Sequence, residues 1–196
     1  QEHFFGTLIL HDTGVASAFW DRDQRPYHTY HVVDGQQRLT TTVIYLDLLQ
    51  REMQAIDPVA AVDLKNNFVW IEDAAGYSTP RLTLNRDTHT FFQQAILEGE
   101  AGLKRQIRSH ERLVRTQQLF AAHLAQQRDM MGDQYARWLA KQIRKLTRQL
   151  TLIVYTVGTE PEAAVIFTAM NDRGKTISDL EKIKSHLLQI AHKVSV

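Results

Sequence analysis

The 196-residue chain has no cysteine, and that absence excludes a disulfide framework, a thiolate zinc site and a cysteine nucleophile together. It fits a reducing compartment. No run of 18 apolar residues occurs, and the opening QEHFFGTLIL has neither the basic flank nor the cleavage pattern of a signal peptide. No membrane association is expected, and a cytoplasmic location is. The patterns G-x-S-x-G and H-E-x-x-H are missing, as is any evident nuclease triad of acids and histidines. There is no internal repeat, low-complexity run or linker. The chain begins without methionine and enters an apolar, strand-like segment at once, which reads as a piece of a longer protein.

What is present suffices for one domain with a substantial core and room for a helical subdomain: 43% of residues are hydrophobic. The net charge of +1 conceals an asymmetry. Between Lys104 and Arg148, 11 Lys/Arg face only Glu111, Asp129 and Asp133, whereas the remainder carries 12 basic against 19 acidic residues. Such a distribution is the footprint of a surface facing phosphate or an acidic partner. Solvated outer faces of two helices look the same.

Residues 4–10 and 28–33 read as strands, with the Gly/Asp/Arg-rich segment 11–26 as the loop between them. Over 39–56 the period becomes helical, with Leu39, Val43, Leu46, Leu49 and Met53 on one stripe until Asp57-Pro58 stops it. Segments 67–71 and 81–84 suggest a strand pair around AAGYSTP, and 87–97 a short helix ending at Gly99. Two longer helices, 108–127 and 134–149, form a hairpin about Met131-Gly132-Asp133. The first carries Leu113, Val114, Gln117, Phe120, Ala121 and Leu124 on one side; the second carries Tyr135, Trp138, Leu139, Gln142 and Leu146. LTLIVYTV at 150–157 is a strand. Pro161 opens a helix to about residue 170, and the Ser178/Glu181 capping box starts a last one over 178–193. Trp20, Trp70 and Trp138 each sit in an apolar pattern and read as core anchors. His28 and His31 have odd spacing on a strand and so point to opposite faces, unable to share a metal; His123, His186 and His192 are isolated.

One stretch resists a purely structural account. VVDGQQRLTTTV, 32–43, runs from a strand through a glycine into a helix start. That geometry gathers unpaired backbone N–H groups at the positive end of a helix dipole, where anions bind. Gly35 allows close backbone approach, and Arg38 supplies a planar fork for phosphate oxygens. Asp34 would repel a bare phosphate, which leaves three uses: holding hydrated magnesium, orienting water, or fixing Arg38 at i, i+4. Gln36 and Gln37 donate and accept without adding charge. Asp34 as a simple helix cap is the plain alternative. Farther on, NDRGKT ends like a P-loop, but Ala169 stands where the motif needs its first glycine. Asn171, Asp172, Arg173, Gly174 and Lys175 remain a polar turn that either faces phosphate or separates two helices.

DGQQRLTT at 34–41 and IFTAMNDRGKTISDLEKIKSHLL at 166–188, in that order, resemble the DGQQR-motif domain at the N-terminus of GmrSD-type, modification-dependent (type IV) restriction proteins. The resemblance spans essentially the whole chain, with FFGTLIL before the motif and RLTLNRDTHTFFQQAI as the middle block. It implies a phosphate-binding core like that of ParB and sulfiredoxin, within an α+β fold having a small mixed sheet and a mostly helical remainder. It further implies magnesium-dependent binding and hydrolysis of a nucleoside triphosphate, coupled to the sensing of modified foreign DNA that a separate HNH-type nuclease domain or subunit cleaves. Asp34, Gln36 and Gln37 are then the expected catalytic residues, with Asp34 on the metal. Gly35, Gln36, Gln37, Arg38, Thr40, Asn171, Arg173, Gly174 and Lys175 are the expected nucleotide contacts.

Two departures stand out: the family's upstream Gln-Arg segment has no counterpart except a coincidental Gln24-Arg25-Pro26-Tyr27, and Thr168 stands where many relatives have glutamate. The second bears on hydrolysis rather than binding. No HNH pattern occurs in this chain. The expected organisation is a DGQQR-containing core over 1–100, a basic hairpin over 101–149, and a completing strand and helices over 150–196, all in one structural domain. Arg108, Arg112, Arg115, Arg137, Lys141, Arg144, Lys145 and Arg148 are the expected DNA contacts should the chain be a non-catalytic DNA-sensing module, and a scaffold for a nuclease subunit is the third reading.

Overall fold

The computed structural model describes residues 3–20, 26–72 and 76–171, and its fold is α+β. The chain divides into two compact units, one formed by Gln1–Gln36 with Leu150–Val196 and the other by Gln37–Gln149.

The first unit is built on a three-stranded sheet in the order β2-β1-β5, with β1 (His3–Trp20) in the centre. Strand β2 (Pro26–Asp34) pairs with it antiparallel and β5 (Leu150–Val157) parallel, so Ile9 lies opposite Asp34 on one side and Tyr155 on the other. Ile9, Val157 and Ala163 are fully buried, joined by Val33, Ile166 and Phe167. Helix α6 (Glu160–Asn171) supplies Ala163, Ile166 and Phe167 at i, i+3, i+4, the spacing that lays one helix face on a sheet. Thr159 starts it: its hydroxyl accepts from Glu162 N at 3.4 Å and its carbonyl from Ala163 N at 3.2 Å.

The segment expected as a loop over 11–26 is strand over 11–20, with 21–25 outside the described residues. The polar residues that suggested a loop make a bulge: Asp12 Oδ1 accepts from Gly14 N at 2.9 Å, Thr13 Oγ1 accepts from Val15 N at 3.2 Å, and Gly14 takes φ 66°. Pairing resumes at Ala16↔His28 and Trp20↔Pro26. Trp20 is consequently no core anchor; it is 53% exposed.

The second unit has one large core. Helix α1 (Gln36–Gln54) buries Val43, Ile44, Leu46, Leu49 and Met53, with Leu39 only half-buried. The stop expected at Asp57-Pro58 is a beginning, because Asp57 Oδ1 accepts from Ala60 N at 3.0 Å and caps α2 (Pro58–Leu64), with proline in the first turn. A π-helical turn, Lys65–Val69, then replaces most of the strand expected at 67–71. It buries both Leu64 and Val69, at 5% and 0% exposure. Strand β3 is thus only Trp70–Glu72, and its antiparallel partner β4 is Ser78–Pro80 rather than 81–84. Arg81 is occupied otherwise: Nε and Nη2 donate to Asn66 O at 3.0 and 2.7 Å.

Helix α3 (Arg86–Phe91) continues as a π-helical turn over Phe92–Leu97, and Gly99 follows at φ 76°. The hairpin consists of α4 (Arg108–Met131) and α5 (Tyr135–Arg148), joined by a 3₁₀ turn at Gly132–Gln134 in which Gly132 has φ 49°. Leu113 and Leu124 face the core from α4, Tyr135 and Leu139 from α5; Ala121, expected on that side, is exposed. The boundary expected at residue 100 falls inside this unit. His110 on α4 stacks on Phe91 at 4.1 Å, and Gln117 Nε2 donates to Ile96 O at 2.9 Å. The hairpin therefore shares its core with α1 and α3. The helix expected at 178–193 lies outside the described residues.

Candidate functional site

Strand β2 ends at Asp34, Gly35 follows with φ 95°, and α1 begins at once with Gln36. Gly35 is buried in a backbone conformation that side chains rarely adopt, so the turn needs glycine. Strand passes to helix there without a loop, and the amides of the first turn of a 19-residue helix come directly after the strand. Gln36 locks the turn: its Nε2 donates to Val32 O at 2.6 Å. Asp34 and Arg38 are half-buried, as is Thr40, whereas Gln36 and Gln37 are exposed. No acidic residue lies in the first turn of α1. The first turn of α1 carries exposed glutamines and one half-buried arginine, and the strand before it ends on a single carboxylate; helix-start amides with an arginine suit an anion, and a carboxylate suits a hydrated cation.

The second signature meets the sheet through α6. Val33, the neighbour of Asp34, packs in one cluster with Ile166 and Phe167, and Asn171 is the last residue of that helix. Arg173, Gly174 and Lys175 lie outside the described residues. Thr168 closes its hydroxyl on its own helix, donating to Ala164 O at 2.9 Å.

The basic residues of the hairpin lie apart from this junction in sequence. Arg108, Arg112 and Arg115 on α4, and Arg137, Lys141, Arg144 and Arg148 on α5, are all exposed, and Lys145 is half-buried. Among the described residues none of them forms an ion pair. Arg128 differs, pairing with Glu52 of α1 at 3.0 Å. Glu52 also accepts from Tyr135 Oη at 3.0 Å; burial first, and then this carboxylate, push the Tyr135 phenol well above its ordinary range.

A second buried polar group went unread in the sequence. Asp47, 1% exposed within the apolar stripe of α1, receives Arg51 at 2.8 Å and Gln50 at 3.2 Å. Arg51 Nη2 continues to Ile96 O and Leu97 O at 3.1 and 2.6 Å, tying α1 to the end of the π-helical turn. Burial pushes the Asp47 carboxyl up, and the positive charges of Arg51 and Lys65 oppose that rise. The signal was an acid four residues before an arginine on a core face.

Metal chemistry finds no cluster: among the described residues no three His, Asp or Glu side chains gather. His31 instead meets His11 edge-on across the ladder at 5.9 Å, and His28 leans toward Tyr30 at 6.4 Å. No helix among the described residues is long and apolar enough to cross a membrane.

A small mixed sheet in one unit, a mostly helical second unit, and a strand that passes through one glycine into a long helix define an α+β chain. The family model of the GmrSD restriction endonuclease N-terminal domain matches residues 1–188, and the chain belongs to that family. Its role is accordingly a defence-related one within a restriction system. No curated protein matches the chain.

Proposed function

We propose that this domain binds a nucleoside triphosphate at the β2–Gly35–α1 junction and hydrolyses it, and that the nucleotide state regulates restriction of foreign, modified DNA. The observation that carries this reading is the buried Gly35 at φ 95°, which joins strand to helix with no loop. First-turn amides and Arg38 hold the phosphates in this account, and Thr40 lies on the next turn. Asn171, Arg173, Gly174 and Lys175 complete the nucleotide contacts, consistent with α6 resting beside Val33. Gln37, exposed on the first turn, orients the attacking water, while Gln36 holds the turn through Val32.

Magnesium fits the donor set. One carboxylate is what such a hydrated ion needs when phosphates supply the other charged ligands, and Asp34 would hold it. When bound, the ion neutralises charge on the phosphates. A ParB- and sulfiredoxin-like core, a cytoplasmic location, and cleavage by an HNH-type nuclease domain or subunit belong to the same proposal. The test is phosphate release with GTP, ATP or CTP and magnesium: Asp34→Ala is expected to abolish turnover. A persistent magnesium-dependent rate in that variant contradicts the reading.

A second reading, a DNA-binding module without catalysis, draws on the exposed cations of α4 and α5. The two are compatible, and they become allosteric only if each ligand changes the affinity for the other.

A further inference from the structure

Helix α5 is amphipathic in an unusually clean way. Tyr135 and Leu139 are buried, and Trp138, Ile143 and Leu146 pack against the same core. On the opposite side Arg137, Lys141, Arg144 and Arg148 recur at i, i+4, i+7 and i+11, all exposed and, among the described residues, without ion pairs. Beside that face lie exposed Ala140 and half-buried Lys145. Four cations thus stand about 4.5–6 Å apart along roughly 17 Å of helix. On α4 the outward arginines, Arg108, Arg112 and Arg115, are interrupted by exposed Glu111 and followed by Leu119, 65% exposed.

We infer that the outer stripe of α5 is a contact surface for the phosphate backbone of duplex DNA, blind to sequence, with the α4 arginines adding charge beside it. The inference rests on the second reading above and specifies its surface and mode. Charge complementarity supports a polyanion, and the rigid spacing suits a regular one. The stripe carries no amide or carboxylate with which to read an adenine or a cytosine, and its cations match phosphate oxygens. Phosphate contacts position a protein on a duplex without reading its sequence.

The experiment is fluorescence anisotropy of two 20-base-pair duplexes of unrelated sequence between 50 and 200 mM salt, with the parent chain and with Arg137→Gln/Lys141→Gln/Arg144→Gln/Arg148→Gln. Each phosphate neutralised contributes about 0.9 to the slope of log affinity against log salt. The parent is expected to bind both duplexes within about threefold and to show a slope steeper than the variant by roughly three to four, so its affinity falls about a hundredfold more over that range. Lys141→Gln/Arg144→Gln, reducing the slope by about two, serves should the fourfold variant misfold. Unchanged slope and affinity in the variants overturn the inference while leaving DNA binding on another surface. Tenfold preference for one duplex overturns it as well. No binding by the parent at 50 mM salt removes both the inference and the second reading, and leaves the stripe to an acidic polypeptide.

Discussion

Gln36 donates its side-chain amide to the carbonyl of Val32 at 2.6 Å, folding the first residue of α1 back onto the strand that precedes it. A residue expected to serve the ligand also holds the turn. Gln36→Ala is expected to cost about 1 kcal/mol, the usual net value of such a bond, and to lower Tm by about 2–4 °C. Differential scanning calorimetry checks it; an unchanged Tm means the bond contributes nothing.

Gly35→Ala strains the same junction through the backbone. A residue with a Cβ at φ 95° is disfavoured by about 1–2 kcal/mol, and here the position is buried as well. The account expects a destabilisation at least this large, together with loss of any nucleotide-induced stabilisation. A variant that loses stability but keeps the full nucleotide response would separate the turn from the site.

Asp47 anchors the second unit. Asp47→Ala leaves Arg51 facing a buried void, and because Arg51 is 37% exposed the cost belongs near the lower end of the about 3–5 kcal/mol seen for broken buried pairs. Asp47→Asn keeps an acceptor for Gln50 and Arg51 and is expected to be milder. Urea unfolding of both variants compares them directly; equal losses would show that charge, rather than hydrogen bonding, holds the end of the π-helical turn.

Alkaline stability has a named source. The Tyr135 phenol is raised above its unfolded value of about 10 by burial and by the Glu52 carboxylate. A group raised in the folded state stabilises below the unfolded pKa and loses that contribution as pH climbs through the folded one. Stability is therefore expected to fall above about pH 10. Tyr135→Phe should flatten that fall while costing about 1 kcal/mol at neutral pH. Unfolding free energies at pH 7, 10 and 11 for both chains test it, and parallel curves would contradict it.

Much of this architecture was legible because its signals are local. The stripe over 39–56, the strand LTLIVYTV and the glycine between Met131 and Asp133 each act within a few residues, and α1, β5 and the hairpin follow them. Elements set by distant partners were misread. The polar run 11–26 reads as loop until Asp12 and Gly14 are seen to make a bulge in a ladder with β2, and residues 65–69 turn helical because Leu64 and Val69 share one core. At the site, Asp34, Gly35 and Arg38 were legible because they fall within five residues of one strand-to-helix turn. That α6 would pack its Ile166 and Phe167 beside Val33 depends on tertiary structure, and no pattern within either segment states it.

The most direct test of the central claim is thermal unfolding with millimolar GTP, ATP or CTP plus magnesium, on the parent chain and on Arg38→Ala. At about 100 times its dissociation constant a ligand adds roughly 2.7 kcal/mol, a shift of several degrees for a chain of this size. Such a shift is expected for at least one nucleotide in the parent and for none in Arg38→Ala. A shift that survives Arg38→Ala, or no shift with any nucleotide, contradicts a triphosphate site at the β2–Gly35–α1 junction.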